Sequence, residues 1–471
     1  MHDLGKMNED FEEREEALEI IKKFENMLAN NDSVFFDLAD FELIIDHYTT
    51  TFNYTKAIAA CNTAINQYPF STELLIDKSQ ILAMSGEFAE ALDIIKHLEL
   101  SEPQNADVML THGIIYTQKG DFSEAIDYLK KAAALAGNRD DILFNIGLTY
   151  QSWGKFSSAI KYYKKCLELS LENEIALQEL LYCLEVTGTL EENIPFFQQF
   201  VDNDPYAPMA WFNLGMLQFK LANFQQAASA FDYATIIKPD FAIAYTNLAN
   251  AYVCLGEFAK AIDAFNQSLE HEEPSSDVYC NIGECYEKMG QWDLSRRYYQ
   301  KAIDLNPEMD EAWFGIGVIL NAQEKWFEAV HFFRKAAEIY SENPEYWIAL
   351  GAAEYNVGNI VSCLESYEKA SQLAPNNREV WLNWSIILHE QGNFDEAIDT
   401  IKNAIEINPD DAELYYRLTA YLLSAGKYRE AYNYLENALI LDFEKHTLLF
   451  EYFPELESQK ALSRIIDQYR K

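Results

Sequence analysis

Paired cysteines, long apolar runs and recognisable chemical motifs are all scarce in this sequence of 471 residues. No apolar run approaches the roughly 18–20 residues that a membrane-spanning helix needs. The seven cysteines are an odd number and form no C-x-x-C pair, so reduced thiols packed among helices are predicted in place of a zinc site or a disulfide framework. They are Cys61, Cys166, Cys183, Cys254, Cys280, Cys285 and Cys363.

Positive charge is also in short supply, since 36 Lys and Arg stand against 76 Asp and Glu, and the formal net charge is −40. A field of this sign repels nucleic acid phosphates and anionic lipid surfaces, so neither nucleic acid nor membrane is expected as a partner. The excess either attracts a basic partner or only keeps a soluble surface self-repelling, and both explanations stay open. The N-terminus is acidic and has no basic and apolar signal segment, which predicts a cytoplasmic protein.

No arrangement of residues typical of a catalytic or metal site is present. His-Glu pairs occur at His271-Glu272 and His389-Glu390, but neither has the second histidine that a zinc-protease helix requires. A glycine-rich phosphate loop is absent as well, because nearly all glycines follow a repeat. We therefore expect no enzyme, no cofactor and no metal.

A period of 34 residues is the dominant feature of the chain. In the stretch Ser276–Met309, apolar residues recur at helical spacing on both sides of Gly290, and Pro307 ends the second stripe. Two short amphipathic helices cannot bury both faces alone, so neighbouring copies must cover them. Glycine recurs at position 8 or 15 of the other units, at Gly86, Gly113, Gly120, Gly147, Gly154, Gly188, Gly215, Gly256, Gly317, Gly351, Gly358, Gly392 and Gly426.

The pattern resembles the tetratricopeptide repeat family, in which an aromatic stands at position 4, Gly or Ala at 8, Ala at 20 and Pro at 32. The resemblance implies an all-α fold, a right-handed superhelical α-solenoid of helix-turn-helix units with capping helices at both ends. Twelve units are expected over residues 38–445, after an N-terminal capping helix in residues 1–37 and before C-terminal capping helices in residues 446–471. The N-terminal cap is expected to bury Phe11, Leu18, Ile21, Phe24 and Leu28.

The fifth unit, residues 174–207, departs from the pattern at three packing positions. Leu181 replaces the small residue at position 8, Asn193 replaces Ala at position 20, and Pro195 falls in the second turn of the second helix. Bulky residues hold the two helices apart, and a proline in that turn removes a hydrogen-bond donor and clashes with a carbonyl. We expect a local irregularity and weaker coupling between the flanking repeats.

The first helix of each unit lines the concave groove in this family, so the resemblance places candidate binding residues at its inward positions. Position 6 is Asn in five units, and an amide can both donate to and accept from the main chain of a ligand. Asparagine is also common at this position of the family, and that alternative stays open. The candidate groove residues are Asn145, Asn213, Asn247, Asn281 and Asn383, the apolar Phe212, Met216, Phe219 and Val253, and the acidic Glu284 and Glu287.

Function is therefore expected from a surface. The consecutive Asn213, Asn247 and Asn281 predict that an extended, net-basic and partly hydrophobic protein segment lies across units six to eight, with the three side chains facing solvent when empty. A carboxylate clamp is excluded, because position 5 is never basic and Arg417 stands alone at position 6. The prediction is a non-catalytic scaffold or adaptor. The alternative is a structural subunit that self-associates or packs permanently within a larger assembly, and the oligomeric state stays open.

Overall fold

Helices make up the architecture of the chain, whose computed structural model describes residues 17–30, 32–137, 139–458 and 460–470. These residues contain no β-strand. Helix α1 covers residues 17–30 and precedes twelve consecutive helix pairs, which we number as repeats one to twelve. The first helices of the pairs are α2 (Leu38–Thr50), α4 (Thr72–Met84), α6 (Ala106–Lys119), α8 (Asp140–Ser152), α10 (Glu174–Val186), α12 (Pro208–Lys220), α14 (Ala242–Cys254), α16 (Ser276–Lys288), α18 (Asp310–Ala322), α20 (Pro344–Val357), α22 (Arg378–Glu390) and α24 (Ala412–Ser424).

The second helices complete the pairs, and two further helices follow the last of them. Short 3₁₀ turns at Glu444–Thr447 and Pro454–Ser458 precede α26 (Leu448–Tyr452) and α27 (Lys460–Tyr469) respectively. The all-α solenoid of helix-turn-helix repeats is thereby confirmed. The second helices are α3 (Tyr54–Gln67), α5 (Phe88–Ser101), α7 (Phe122–Ala136), α9 (Phe156–Leu169), α11 (Ile194–Asn203), α13 (Phe224–Ile237), α15 (Phe258–His271), α17 (Trp292–Leu305), α19 (Trp326–Ile339), α21 (Ile360–Leu373), α23 (Phe394–Ile407) and α25 (Tyr428–Leu441).

The repeats divide into two compact units. Described residues up to Lys238 form the first unit, which holds repeats one to six, and those from Pro239 onwards form the second, which holds repeats seven to twelve. Each unit buries its own series of small apolar clusters between neighbouring helices. This is the arrangement expected of a repeat array, where each repeat packs mainly on its neighbours.

Helix ends are set by local chemistry that recurs from repeat to repeat. In repeat eight, Gly290 takes a φ of +69°, and its N–H donates to the carbonyl of Glu287 at 2.8 Å, which ends α16. The aromatic residue near the start of a first helix also binds the preceding loop. The indole N–H of Trp313 donates to the carbonyl of Pro307 at 2.9 Å. The Trp347 indole N–H makes the same bond to the carbonyl of Ser341 at 2.9 Å, so the contact ties the aromatic at position 4 to the backbone at position 32 of the preceding repeat.

Glycine at position 8 permits close packing of the two helices of a repeat. A Cβ atom on Gly283 would lie 2.7 Å from Cδ1 of Tyr299, and one on Gly215 would lie 2.6 Å from Cε1 of Phe231. Any larger residue would overlap the aromatic ring of the second helix. The small residue therefore allows a large ring at position 24 to fill the space between the helices.

Repeat five solves the same packing problem differently. Leu181 is only 1 % exposed and Phe197 is fully buried, so both positions of the close approach hold bulky buried side chains. Among the described repeats, this is the one whose two helix backbones approach least closely. Its second helix begins only at Ile194, after a 3₁₀ turn over Glu191–Asn193. Pro195 consequently lies in the first turn, where it is tolerated, and the predicted clash in a second turn is wrong.

Helix α1 packs on the first repeat through aromatic side chains. Phe24 is fully buried, with its ring centroid 6.0 Å from that of Phe36, and Met27 joins the same cluster. Tyr48 donates a hydrogen bond to the Glu25 carboxylate at 3.1 Å. Leu18, which was also predicted to be buried in the cap, is instead exposed. Phe11, another of the predicted cap residues, lies outside the described residues.

Candidate functional site

The surface built by the first helices is the candidate binding surface, and we refer to it as the inner surface. Within each unit, first helices of neighbouring repeats approach one another, as α4 does α6, α16 does α18 and α22 does α24. Among the described residues, the second helices show no comparable approach between repeats, so they lie on the opposite side, the outer surface. Side chains of several first helices can therefore reach one ligand on the inner surface.

The asparagines of the inner surface fall into two groups. Asn145 and Asn247 are half-buried, and each donates from Nδ2 to the carbonyl four residues earlier in its own helix, at 2.8 Å in both cases. Asn281 and Asn383 are half-buried as well. In Asn145 and Asn247 the intrahelical bond uses one amide N–H, and the amide oxygen keeps its capacity to accept from a ligand N–H.

Asn213 behaves differently, and the prediction that it faces solvent is wrong. Its side chain is 1 % exposed, and Nδ2 donates to the carbonyl of Leu171 at 3.1 Å. Its Oδ1 atom is buried with no hydrogen-bond partner among the described residues. Asn213 also belongs to the first unit, whereas Asn247 and Asn281 belong to the second. It holds the loop before repeat five in place instead of presenting an amide to a ligand.

The predicted apolar contacts are only partly available. Phe212 is 2 % exposed and packs with its ring centroid 5.7 Å from that of Phe231, so it belongs to the core of repeat six, and the prediction of a ligand contact there is wrong. Met216, Phe219 and Val253 are half-buried. The usable apolar surface is therefore smaller than the sequence pattern indicates.

Carboxylates crowd the inner surface where α16 and α18 meet. Burial raises the pKa of Glu311, and the neighbouring charges of Asp310 and Asp277 raise it further. Burial likewise raises the pKa of Glu287, although the Tyr299 hydroxyl donates to its carboxylate at 2.9 Å. None of these carboxylates forms an ion pair within the part of the chain that the structure describes. Burial is the larger cause at both groups, and at Glu311 the neighbouring negative charges add to it.

The surroundings of these carboxylates define the rest of the acidic area. Glu284 is exposed, and Asp310 accepts a hydrogen bond from the Tyr346 hydroxyl at 2.8 Å. Beneath them, burial raises the pKa of the Cys280 thiol to about 12, and Glu311 and Glu284 add to that effect. The sequence pattern marks Glu284 and Glu287 as candidates, but the contribution of Asp277 to the raised pKa of Glu311 depends on α18 packing beside α16.

The inner surface of repeats eleven and twelve is covered by the chain itself. The Arg417 guanidinium lies 3.3 Å from the centroid of the Tyr452 ring, and the Tyr452 hydroxyl donates to Glu413 at 2.9 Å. The Phe453 ring lies 5.2 Å from the His389 ring, centroid to centroid. Residues after α25 thus occupy an area that was predicted from the sequence to be open groove. The only sequence feature that indicated this covering segment is the run of apolar residues after the last repeat.

Neither a cluster of metal-ligating side chains nor a helix able to span a membrane is found among the described residues. No three His, Cys, Asp or Glu side chains come together there as a metal site. None of the helices seen there combines the length and apolar composition that crossing a bilayer requires. The seven cysteines are free thiols, and all except Cys254 are buried.

Sequence comparison places the repeats in a known family. Models of the tetratricopeptide repeat match the chain at residues 104–172, 144–208, 242–273, 276–309 and 357–421. Together these matches cover about half of the chain and include repeats of both units. No curated protein matches the chain.

Solved structures provide further likenesses. The APC/C hetero-tetramer Cut9–Hcn1 is 15 % identical, with 81 % of this chain and 89 % of that chain covered, at a TM-score of 0.40. YrrB, described as a TPR protein with an unusual peptide-binding site, is 22 % identical. The match covers 42 % of this chain and 97 % of that chain, at a TM-score of 0.34. MamA is 30 % identical, with 34 % of this chain and 93 % of that chain covered, at a TM-score of 0.28. Each is a likeness only.

The family matches and the helix pairs share one period and one register. The matched segment 276–309 is the helix pair α16 and α17 with its following loop. Position 8 glycines and position 24 aromatics meet inside the repeats, as the family pattern requires. The chain therefore belongs to the tetratricopeptide repeat family, whose repeats form protein-interaction scaffolds.

Proposed function

We propose that the inner surface of repeats seven to nine binds an extended, net-basic and partly apolar segment of another protein. The chain then acts as a non-catalytic scaffold or adaptor in the cytoplasm. Seven free cysteines support a reducing compartment, because disulfides persist mainly in oxidising ones. The binding surface lies wholly within the second unit.

The observation that carries this proposal is the uncompensated negative charge around Glu311. Asp277, Asp310 and Glu311 lie close enough for the first two to raise the pKa of the third, and no described Lys or Arg pairs with them. A Lys or Arg of a ligand placed there would favour the ionised form of Glu311. Because Asp277 and Glu311 are exposed, each pair would contribute only modestly, and the carboxylates would attract a basic ligand together.

Main-chain recognition would come from Asn247 and Asn281. Packed helices lie about 8–10 Å apart, and an extended chain advances about 3.3 Å per residue. Amides on neighbouring first helices could then meet the main chain of a ligand at about every third residue. Val253 would provide apolar contact near the first of these amides, while Glu284 and Glu287 would favour a basic side chain near the second.

Removing the inner carboxylates tests the proposal directly. The probe is a fluorescein-labelled 12-residue peptide of alternating Lys and Leu, measured by anisotropy in about 0.15 M salt against a peptide of alternating Glu and Leu. The variant is Asp277→Asn, Glu284→Gln and Glu311→Gln. It should bind the basic peptide at least about tenfold more weakly, which is about 1.4 kcal/mol. The acidic peptide should bind neither protein.

A matched control removes the same charge from the outer surface. Asp263, Glu270 and Asp293 are exposed on α15 and α17, and their amide variants should change the affinity less than about twofold, because long-range charge is screened at this salt. Equal losses in the two triple variants would show that the binding is non-specific charge attraction.

The double change Asn247→Ala and Asn281→Ala tests main-chain recognition. It should weaken peptide binding without changing the salt dependence of the affinity.

Self-association is the competing function and has its own signature. A structural subunit requires a large interface between copies, of more than about 1,000 Å². Size-exclusion chromatography with light scattering should give a monomer of 54.3 kDa for a free scaffold. A constant higher mass at sub-micromolar concentration would favour the structural role instead.

A further inference from the structure

A groove on the outer surface of the second unit has features that the proposed function does not use. It lies between α21 and α23, with α22 as its floor, and has a volume of about 470 Å³. Val361, at one side of the groove, is 73 % exposed. Leu364 and Trp384 are half-buried, and Leu388 is buried beneath them. An apolar cavity of this size is large enough to take a side chain of another molecule.

Four exposed carboxylates surround this apolar floor. Glu365 and Glu368 project from α21, and Glu396 and Asp399 from α23. None of the four forms an ion pair with any described residue, and Glu396 accepts a hydrogen bond only from the Asn393 side chain, at 3.2 Å. The groove is thus apolar at its base and negatively charged at its rim.

The junctions on either side, between repeats nine and ten and between repeats eleven and twelve, each carry a basic residue at the position of Glu368. The residue 34 positions before Glu368 is Arg334, whose guanidinium pairs with the fully buried Glu354. The residue 34 positions after it is Lys402, whose Nζ lies 3.6 Å from the Glu430 carboxylate on the next second helix. Both neighbouring junctions therefore carry their own cation. At the junction between repeats ten and eleven, the equivalent position is acidic.

The floor of the groove differs in the same way. Glu354 of repeat ten is replaced, 34 residues later, by Leu388, so the charged floor of one junction becomes an apolar floor in the next. Trp384 lies beside it and donates no hydrogen bond to any residue that the structure describes, whereas the Trp381 indole N–H donates to the Pro375 carbonyl at 2.8 Å. A cation is therefore the component that both flanking junctions carry at this position and that this junction lacks, while its floor is apolar.

We propose that this outer groove is a docking site for an amphipathic basic helix of a partner protein. One aliphatic side chain of the helix enters the cavity between Val361 and Trp384. A Lys or Arg one helical turn away lies between Glu368 and Glu396, where Lys402 and Glu430 pair at the next junction. Residues three or four apart on a helix are neighbours, so one turn can present both groups. The proposal is independent of the inner surface.

The full chain and a designed helical peptide provide the test. The probe is a fluorescein-labelled 16-residue amphipathic helix with one Leu on its apolar face and Arg three and four positions to either side. Two matched peptides replace that Leu by Ala, or the Arg residues by Glu. Anisotropy titrations in about 0.15 M salt should show binding of the first peptide only, with losses of at least about tenfold for the other two.

Two protein variants locate the site. Glu368→Lys restores the basic residue of the flanking repeats, so it should pair with Glu396, close the groove and weaken probe binding at least about tenfold. Val361→Asp should do the same by charging the apolar wall, and its exposure leaves folding intact. The control Glu270→Lys makes the same charge change on the exposed surface of α15 and should leave the affinity within about twofold.

Three outcomes would overturn the proposal. Equal weakening by Glu368→Lys and Glu270→Lys would show charge attraction without a site. Equal binding of the Leu and Ala peptides would show that the cavity takes no side chain. Concentration-dependent self-association that Glu368→Lys abolishes, with no probe binding, would assign the groove to a second copy of the chain.

Discussion

Repeats five and eight show how one residue decides the spacing of a helix pair. In repeat eight, Gly283 lets the Tyr299 ring fill the space between α16 and α17. In repeat five the equivalent positions hold Leu181 and Phe197, both buried, and α10 and α11 hardly approach. Two bulky residues cannot share a space that suits one. Repeat five keeps the helix-pair fold because α11 begins later in the register and Phe197 stays buried.

The start of the second helix shows the same contrast. In repeat eight, α17 begins at Trp292, position 17 of the 34-residue repeat. In repeat five, α11 begins four residues later in the register, at Ile194, and is only 10 residues long. Asn193 donates from Nδ2 to the Thr189 carbonyl at 2.6 Å inside the intervening turn. A shorter helix has fewer backbone bonds to hold it, so repeat five should be the weaker of the two.

The largest expected effect comes from truncating the residue that separates the helices of repeat five. Leu181→Ala should lower the free energy of unfolding by about 3 kcal/mol, because the late start of α11 prevents the helices from closing on the cavity. Urea unfolding followed by circular dichroism measures the loss. The control Leu100→Ala, at an exposed leucine, should cost less than about 0.5 kcal/mol. An unchanged free energy of unfolding for Leu181→Ala would mean that α10 and α11 move together and fill the cavity.

The reverse exchange in repeat eight should cost somewhat less. Gly283→Leu puts the bulk of repeat five beside the Tyr299 ring and should lower the free energy of unfolding by about 2 kcal/mol through overpacking. Glu284→Leu, at the exposed neighbouring position of the same helix, is the control and should stay within about 0.5 kcal/mol. Equal effects of the two changes would show that the spacing of α16 and α17 doesn't depend on the glycine.

Hydrogen exchange should resolve the comparison without mutation. Amides of α11 should exchange about tenfold faster than those of α13, a difference of about 1.4 kcal/mol in opening free energy. Both helices are second helices of the first unit, so the comparison is internal. Uniform protection across residues 174–237 would contradict a weak link at repeat five.

The smallest effect is expected at the proline of repeat five. Pro195→Ala should change the free energy of unfolding by less than about 1 kcal/mol, because the N–H that alanine adds needs no intrahelical acceptor in the first turn and the main change is the greater freedom of the unfolded chain. Gln198→Pro, in the interior of the same helix, should cost about 3 kcal/mol. A large loss at position 195 would give Pro195 a packing role that its place in the first turn doesn't indicate.

The environment of a candidate groove residue follows from the sequence where its side chain depends on its own helix. Asn247 remains at the surface because its amide bonds within its own helix, to the carbonyl of Ile243. Asn213 occupies the same position of its repeat but is buried, because repeat five leaves the Leu171 carbonyl within its reach. A periodic pattern assigns both residues the same environment. Only the neighbouring repeat distinguishes them.

The sequence by itself determined the helix pairs, because glycine at helix ends, small residues at close approaches and apolar stripes act over a few residues. Gly290 ends α16 through its own backbone conformation. The tertiary structure decided what lies beside what. The repeat period brings Glu368 and Glu396 to the two sides of one groove, and the tail after α25 brings Tyr452 onto Arg417. These juxtapositions depend on packing between separate helices, and the free energy of that packing isn't encoded in either segment alone.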